Sequence, residues 1–267
     1  MNNNNKEKFI IKLVKVLGEI LLTNRAHLFA RYIWLKYRGN LEKEMFYVTK
    51  LVKGSGRFLD IGANRGTWSY YMKDKFIKIE CFEPLAKELN KLVSLGLMNI
   101  RIHDVALSNK KGEKKLYLPT FNGVAEPSLA SLEIRNGKYE ERLVEVKTLD
   151  DFKFDDVELI KIDVEGHEKF IILGAIKTIK KCLPIMVVEI EQRHIQCDIS
   201  DVFASITDLN YNGYFLKSDQ LTPLKEFSLE THQHERYHKK RHLDKSDLDQ
   251  YTYNFIFIPD TRKIKAE

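Results

Sequence analysis

The sequence predicts an α/β fold: a mostly parallel sheet with helices on both faces, preceded by an N-terminal helical extension. Three observations carry this. From residue 56 short apolar runs alternate with helix-patterned segments. The first run ends in a turn with glycines at 62 and 66, the kind of loop at which open α/β sheets bind ligands. Before residue 54 the pattern is instead basic and helical. Strands that alternate with helices imply parallel pairing, because each helical crossover returns the chain to its starting direction. The expected organisation is an extension over residues 1–53 and one domain over 54–267, interrupted by a β insertion and variable loop at 113–148.

Taken in order, residues 57–61 and 76–82 read as short buried strands, with helices starting at Gly66 and near Leu85, the second running to Leu95. Residues 100–107 form a third strand. Residues 113–118 and 142–148 look like a β pair, and the Asn-, Gly-, Ser- and Pro-rich stretch 119–137 between them reads as a lid or substrate-selecting loop. Residues 157–164 and 185–191 are two further strands, separated by a helix over 168–180, and 251–258 is a last β-prone run bounded by Pro259.

Charge is unevenly placed. Residues 1–38 hold eight basic residues against two acids, an excess equal to the net +6 of all 267 residues. Their apolar residues recur at helical spacing, so the segment predicts either a cap on the core or a helix over residues 6–38 that lies on an anionic membrane surface. The surplus apolar face also allows a homodimer. The longest apolar stretch, Phe9 to Leu22, is broken by Lys12, Lys15 and Glu19 and lacks a small-residue cleavage site, so neither a membrane span nor a signal peptide is expected. Three cysteines without a C-x-x-C pair argue against a disulfide framework or thiolate zinc site and suit a cytoplasmic protein.

The first strand runs into Asp60-Ile61-Gly62-Ala63-Asn64-Arg65-Gly66-Thr67. A phosphate-binding loop would need a Lys-Ser or Lys-Thr pair, and a dinucleotide loop would place a glycine where Asn64 stands. Asp60 at the mouth suits a ligand with an ammonium group. Glu83, before Pro84 at the tip of the second strand, can accept hydrogen bonds from both ribose hydroxyls. Asp104, beside Val105 and Ala106 on the third, can accept the exocyclic amine of adenine. An ammonium, a ribose and an adenine together describe S-adenosylmethionine.

Asp-Ile-Gly-Ala-Asn-Arg-Gly-Thr-Trp-Ser, then Phe-Glu-Pro, Val-Ala-Leu-Ser-Asn, Thr-Leu-Asp-Asp-Phe and Ile-Lys-Ile-Asp-Val-Glu-Gly-His-Glu resemble the FkbM family of methyltransferases over about residues 56–195. The resemblance implies a class I methyltransferase (Rossmann-like) sheet of seven strands, the last antiparallel. It also implies O-methylation, frequently of sugars or polyketide-like hydroxyls. The first 50 residues and the 120–137 loop lie outside the resemblance and are expected to choose the acceptor.

Methyl transfer from a sulfonium is an in-line displacement, so the protein must align the acceptor oxygen and take its proton. The candidates are Asp163, Glu165 and His167 after the fourth strand, and Glu189, Glu191 and His194 at the fifth. Asp163 can instead orient the methionine part of the cofactor. Glu168 reads as a helix N-terminal stabiliser. Glu189 and Glu191, two apart, are expected on one strand face. Clustered carboxylates need a proton or a cation between them. Either a Mg²⁺-like ion held by Asp163, Glu189 and Glu191 grips a diol, or a base drawn from His167, Glu165 or Asp163 works without metal. His194 reads equally as a surface or helix-start residue. Farther on, His234, His238 and His242 are four apart and would stack on a helix, but the surrounding Arg and Lys favour a basic patch over Zn²⁺.

Other functions fit less well. An RNA methyltransferase would use the N-terminal charge for phosphate contacts, yet residues 39–267 sum to zero. A non-catalytic membrane-associated module would not need acids at five strand tips. A nicotinamide dehydrogenase is disfavoured by Asp60 and Asn64. A hydroxylated small molecule or glycan is the expected acceptor, with nucleic acid disfavoured.

Overall fold

The computed structural model describes residues 32–33, 41–93, 96–135, 137–237 and 251–262. The basic N-terminal segment, apart from Tyr32 and Ile33, lies outside them, as do His238 and His242. Among the described residues no helix is long and apolar enough to cross a membrane.

Helix α1 (Lys43–Leu51) leads into β1 (Arg57–Ile61) through a turn in which the Glu158 carboxylate accepts the Lys53, Gly54 and Gly56 N–H groups. Then come α2 (Thr67–Met72), β2 (Lys78–Phe82), a short helix α3 (Asn90–Val93), β3 (Ile100–His103) and β4 (Ala106–Leu107). The insertion holds β5 (Gly112–Phe121), β6 (Val124–Ala125) and β7 (Tyr139–Lys147). The chain continues through β8 (Val157–Ile162), α4 (Glu168–Leu173), α5 (Ile176–Cys182), β9 (Ile185–Glu189), α6 (Ile199–Thr207), β10 (Tyr211–Lys217), β11 (Gln220–Pro223), α7 (Leu229–His232) and β12 (Asn254–Pro259).

The main sheet has eight strands in the order β11-β10-β12-β9-β8-β1-β2-β3. From β3 to β9 all pairs are parallel, whereas β12 runs against both β9 and β10, and β11 runs against β10. This corrects the expected seven strands. The eighth is β11, a hairpin partner of β10 turned at Ser218 and Asp219, which have φ of 50° and 64°. Two successive left-handed residues are the geometry of a tight hairpin turn, but Ser-Asp lacks the Asn-Gly signature that would have announced it.

Alternate residues of the strands feed two cores. Ile61, Ile160, Ile162, Met186 and Val188 pack with Ile171, Ile172, Ile179 and Val202 from α4, α5 and α6. Phe58, Leu159, Val187 and Ile256 pack on the other face with Met45 and Val48 from α1 and Trp68 and Met72 from α2. So α1 forms part of the layer that covers the sheet.

Other boundaries also shift. The third strand breaks after His103: Ala106 and Leu107 leave the main sheet and pair with β7. The helix expected over 85–95 is a 3₁₀ turn (Ala86–Leu89) followed by α3. That over 168–180 is split between α4 and α5 at Gly174, where a Cβ would lie 2.1 Å from the Ser108 carbonyl oxygen. The β insertion pairs as expected, with the β5–β7 register running from Gly112↔Val146 to Pro119↔Tyr139.

Candidate active site

β1 leads to β2 and β3 on one side, and the chain then returns to place β8 and β9 on the other. The C-terminal tips of β1 and β8 therefore flank a switch point, and a crevice opens there. It is walled by Gly62, Asn64, Glu83, Val105, Ala106, Asp163, Glu165 and the Pro127–Leu132 segment of the insertion loop, among others.

The glycine turn is fixed by contact with backbone. Gly62 has φ +75°, and a Cβ there would lie 1.7 Å from the Asp163 carbonyl oxygen. The Gly62 and Ala63 N–H groups donate to the Phe82 carbonyl, and the Asp163 N–H donates to that of Ile61. Three strand tips are thereby laced together around the crevice. Glu83 lines the crevice between the Asn64 and Leu85 N–H groups, at 2.9 and 2.8 Å. Each carboxylate oxygen takes one backbone donor and keeps a lone pair for a ligand hydroxyl. Burial pushes Glu83 up to about 7 in spite of those two donors. Pro84, Val105 and Ala106 line the same wall.

Five expected cofactor contacts, Asp60, Ala63, Gly66, Thr67 and Asp104, are absent from the crevice wall. Asp60 is buried under the loop and accepts from the Ser69 N–H (3.1 Å) and hydroxyl (2.6 Å), tying β1 to α2; burial raises it to about 6. It serves the loop's framework and does not line the crevice. Asp104 falls in the gap between β3 and β4 and is exposed, so its side chain faces solvent, and the wall here is built by Val105 and Ala106. Thr67 opens α2 just beyond the loop and is also absent from the wall.

The acids after β8 and β9 converge. Oxygens of Asp163, Glu165 and Glu189 lie within 4.8 Å of one another. Burial pushes Asp163 well above the usual carboxylate range, with the Lys161 ammonium pulling back; Glu189 is raised by burial and by Asp163. Glu165 goes the other way. Burial would raise it, but His194, whose Nδ1 is 2.9 Å from Oε2, together with Arg135 and Arg193, holds it low. Glu165 has φ +59° and Gly166 follows at +107°, its missing Cβ making room for the His194 carbonyl. A non-glycine residue in this conformation is a strained backbone position of the kind that gathers at functional sites.

Glu191 does not join this group. β9 ends at Glu189, and Glu191 beyond it pairs with Arg193 at 2.7 Å and lies 3.6 Å from His194 Nδ1, so the expected two-residue periodicity does not hold past the strand end. His194 is buried against Glu165, not a surface or helix-start residue. His167 is buried with both ring nitrogens occupied, Nδ1 by Glu133 (2.7 Å) and Nε2 by the Ser108 hydroxyl (2.9 Å). It is a strut between the loop and the strand tips, and its lone pair is not offered to an acceptor. Glu168 reaches back to the Gly166 N–H at 2.9 Å, the helix-start role expected of it. His232 packs against Phe215 and Phe227 at the end of α7, apart from this site.

The sequence reading passed over the lid's anchors: the Ser131 hydroxyl donates to the Glu165 carbonyl (2.8 Å), Glu133 holds His167, and Arg135 lies 3.6 Å from Glu165. Three polar residues at alternate positions, 131, 133 and 135, were the one available signal.

The methyltransferase FkbM domain model matches residues 60–215. Among solved structures the chain is similar to a methyltransferase FkbM from Methylobacillus flagellatus KT, at 18% identity over 83% of this chain and 50% of that one, with a TM-score of 0.50. The chain thus spans about half the length of that protein, and the likeness supports the fold. It is also similar to a precorrin-6y C5,15-methyltransferase from Geobacter metallireducens GS-15, at 10% identity, 81% and 87% coverage of the two chains and a TM-score of 0.43. An rRNA methylase from Streptococcus thermophilus gives 9% identity, 81% and 93% coverage and 0.43. No curated protein matches the chain. A family match over well over half of the 267 residues, on a methyltransferase-type α/β fold with its glycine turn and acids at the strand tips, shows that the chain belongs to the FkbM methyltransferase family.

Proposed function

We propose that the protein is an S-adenosylmethionine-dependent O-methyltransferase acting on a hydroxyl of a sugar, glycan or related small molecule. The observation that carries this reading is the meeting of Asp163, Glu165 and Glu189 beside the crevice. The crevice suits the cofactor: the Gly62 turn brings backbone close, and Glu83 keeps acceptor capacity for two ribose hydroxyls. When bound, S-adenosylmethionine supplies an electrophilic methyl group on a sulfonium leaving group.

The chain's own residues must then orient the acceptor and take its proton. Asp163 is the base in this reading. It lines the crevice, and burial raises its proton affinity toward the range where a carboxylate works as a base at neutral pH. Glu189 beside it shares the proton. Glu165, held ionised by His194 and Arg135, orients the acceptor. His167 keeps the lid in place.

A second reading rests on the 4.8 Å spacing of the same three carboxylates, which could hold a divalent cation gripping a vicinal diol. Lys161, 4.0 Å from Glu189, and Arg135, 3.6 Å from Glu165, already set positive charge against them, which favours the metal-free form. The test is a turnover screen over hydroxylated sugars, following S-adenosylhomocysteine release with Mg²⁺ or after exhaustive chelation. Transfer to oxygen that survives chelation and falls ~10²-fold or more in Asp163→Asn supports the base reading. Loss on chelation favours the metal, and transfer to nitrogen or carbon alone removes both.

A further inference from the structure

Lys161 is a fully buried lysine at the centre of the sheet, one residue short of the β8 tip. An ammonium in such a place needs partners, or it is driven to the neutral form. Its nearest are the Asn254 side-chain oxygen at 2.7 Å and the Glu42 carboxylate at 3.3 Å. Glu42 precedes α1 and does more than pair with Lys161. One of its oxygens accepts the Trp68 indole N–H at 3.0 Å, and the other accepts the Asn254 amide at 2.8 Å. Both Glu42 and Asn254 lie outside the matched domain, one on each side of residues 60–215, yet they meet on its buried lysine.

Glu189 lies 4.0 Å from the same ammonium, which also acts on Asp163, a residue that lines the crevice. The ammonium therefore answers to three carboxylates, Glu42 from before α1 and Asp163 and Glu189 of the acid group. We propose that Glu42 is a positioning residue of the active site, completing it from the N-terminal extension by holding Lys161 in place and balancing its charge behind Asp163 and Glu189. The proposal rests on the crevice being the S-adenosylmethionine site.

The experiment exploits a pair of ligands of nearly equal shape. S-adenosylmethionine carries a sulfonium charge that S-adenosylhomocysteine lacks. Neutralising Glu42 leaves Lys161 less balanced and makes the crevice more positive. Calorimetry at pH 8 with Glu42→Gln should then show the sulfonium ligand weakened about five- to tenfold more than the thioether, the size expected of one charge within several ångströms at moderate dielectric. Lys161→Met should move the ratio the opposite way. A purely structural tie would weaken both ligands equally. Circular dichroism and thermal melts check folding; if one variant does not fold, the other decides. An unchanged affinity ratio overturns the proposal, and so does failure of both variants to fold, since that makes the pair a stability element only. If the wild-type chain binds neither ligand, the cofactor reading itself falls; if it binds both and the ratio stays constant, only the role of Glu42 does.

Discussion

Glu83 shows how much a single side chain can decide here. Its carboxylate is buried, raised to about 7, and holds the Asn64 and Leu85 N–H groups while facing the crevice. A protonated Glu83 is a poorer acceptor for ribose hydroxyls than an ionised one. Glu88 and Asp60 face it and raise it further when charged. S-adenosylhomocysteine affinity should therefore fall as pH drops from about 8 to 6, and Glu83→Gln should bind weakly with that dependence removed; calorimetry across the range checks it. Gly62 is the other decisive position. Alanine there must take φ +75° and place its Cβ 1.7 Å from the Asp163 carbonyl. The backbone term alone costs on the order of 1–3 kcal/mol. Gly62→Ala should lower the melting temperature and abolish cofactor binding, since the shifted atoms belong to the crevice wall. The glycine requirement and Glu83 were legible in the sequence because they follow from backbone geometry and strand-tip position. Asp60 and His167 were misread because each is an ordinary candidate by type, and only folding brings Ser69, Glu133 and Ser108 close enough to occupy them.

The elements around the site carry their own consequences. Glu168 opens α4, bonded to the Gly166 N–H and pushed by burial to about 7. A buried acid raised above its unfolded value costs nothing while protonated in both states. It then destabilises the fold as pH rises from the unfolded value, near 4.5, through about 7. Glu168→Gln keeps an acceptor for Gly166, so it should unfold at higher denaturant than wild type at pH 8, by on the order of 3 kcal/mol, and match it near pH 4. Equal midpoints at both pH values would show that the acid is not strained by burial. The lid over residues 127–135 is tied at Ser131, Glu133 and Arg135. Glu133→Ala leaves the buried His167 Nδ1 without its partner, a loss of about 1–3 kcal/mol. Its KM for acceptor should rise more than its kcat falls, as steady-state kinetics would show. Strands β1, β2, β8 and β9 were readable because burial on both faces makes them short, mainly apolar runs. The hairpin strand β11 was not, because Leu221 is its one strongly apolar side chain and its turn is Ser-Asp.

At the scale of the whole molecule, the family domain supplies most of the sheet and the crevice at its switch point, and its flanks supply what surrounds them. Helix α1 packs on one face of the sheet, Glu42 and Asn254 meet on Lys161, and the Pro127–Leu132 segment lines the crevice. The parts of the sequence that lacked family resemblance thus contribute walls and anchors of the site. The basic segment over residues 6–38 is proposed, from its charge pattern, either to cap the core or to dock on an anionic membrane surface. The central claim, that the crevice beside Gly62 holds S-adenosylmethionine, is tested most directly by the structure of the protein soaked with S-adenosylhomocysteine. The account predicts the ribose hydroxyls on Glu83, the adenine against Val105 and Ala106, and the sulfur facing Asp163. An empty crevice, or a ligand held there through a pyrophosphate on the 62–66 turn, would contradict it.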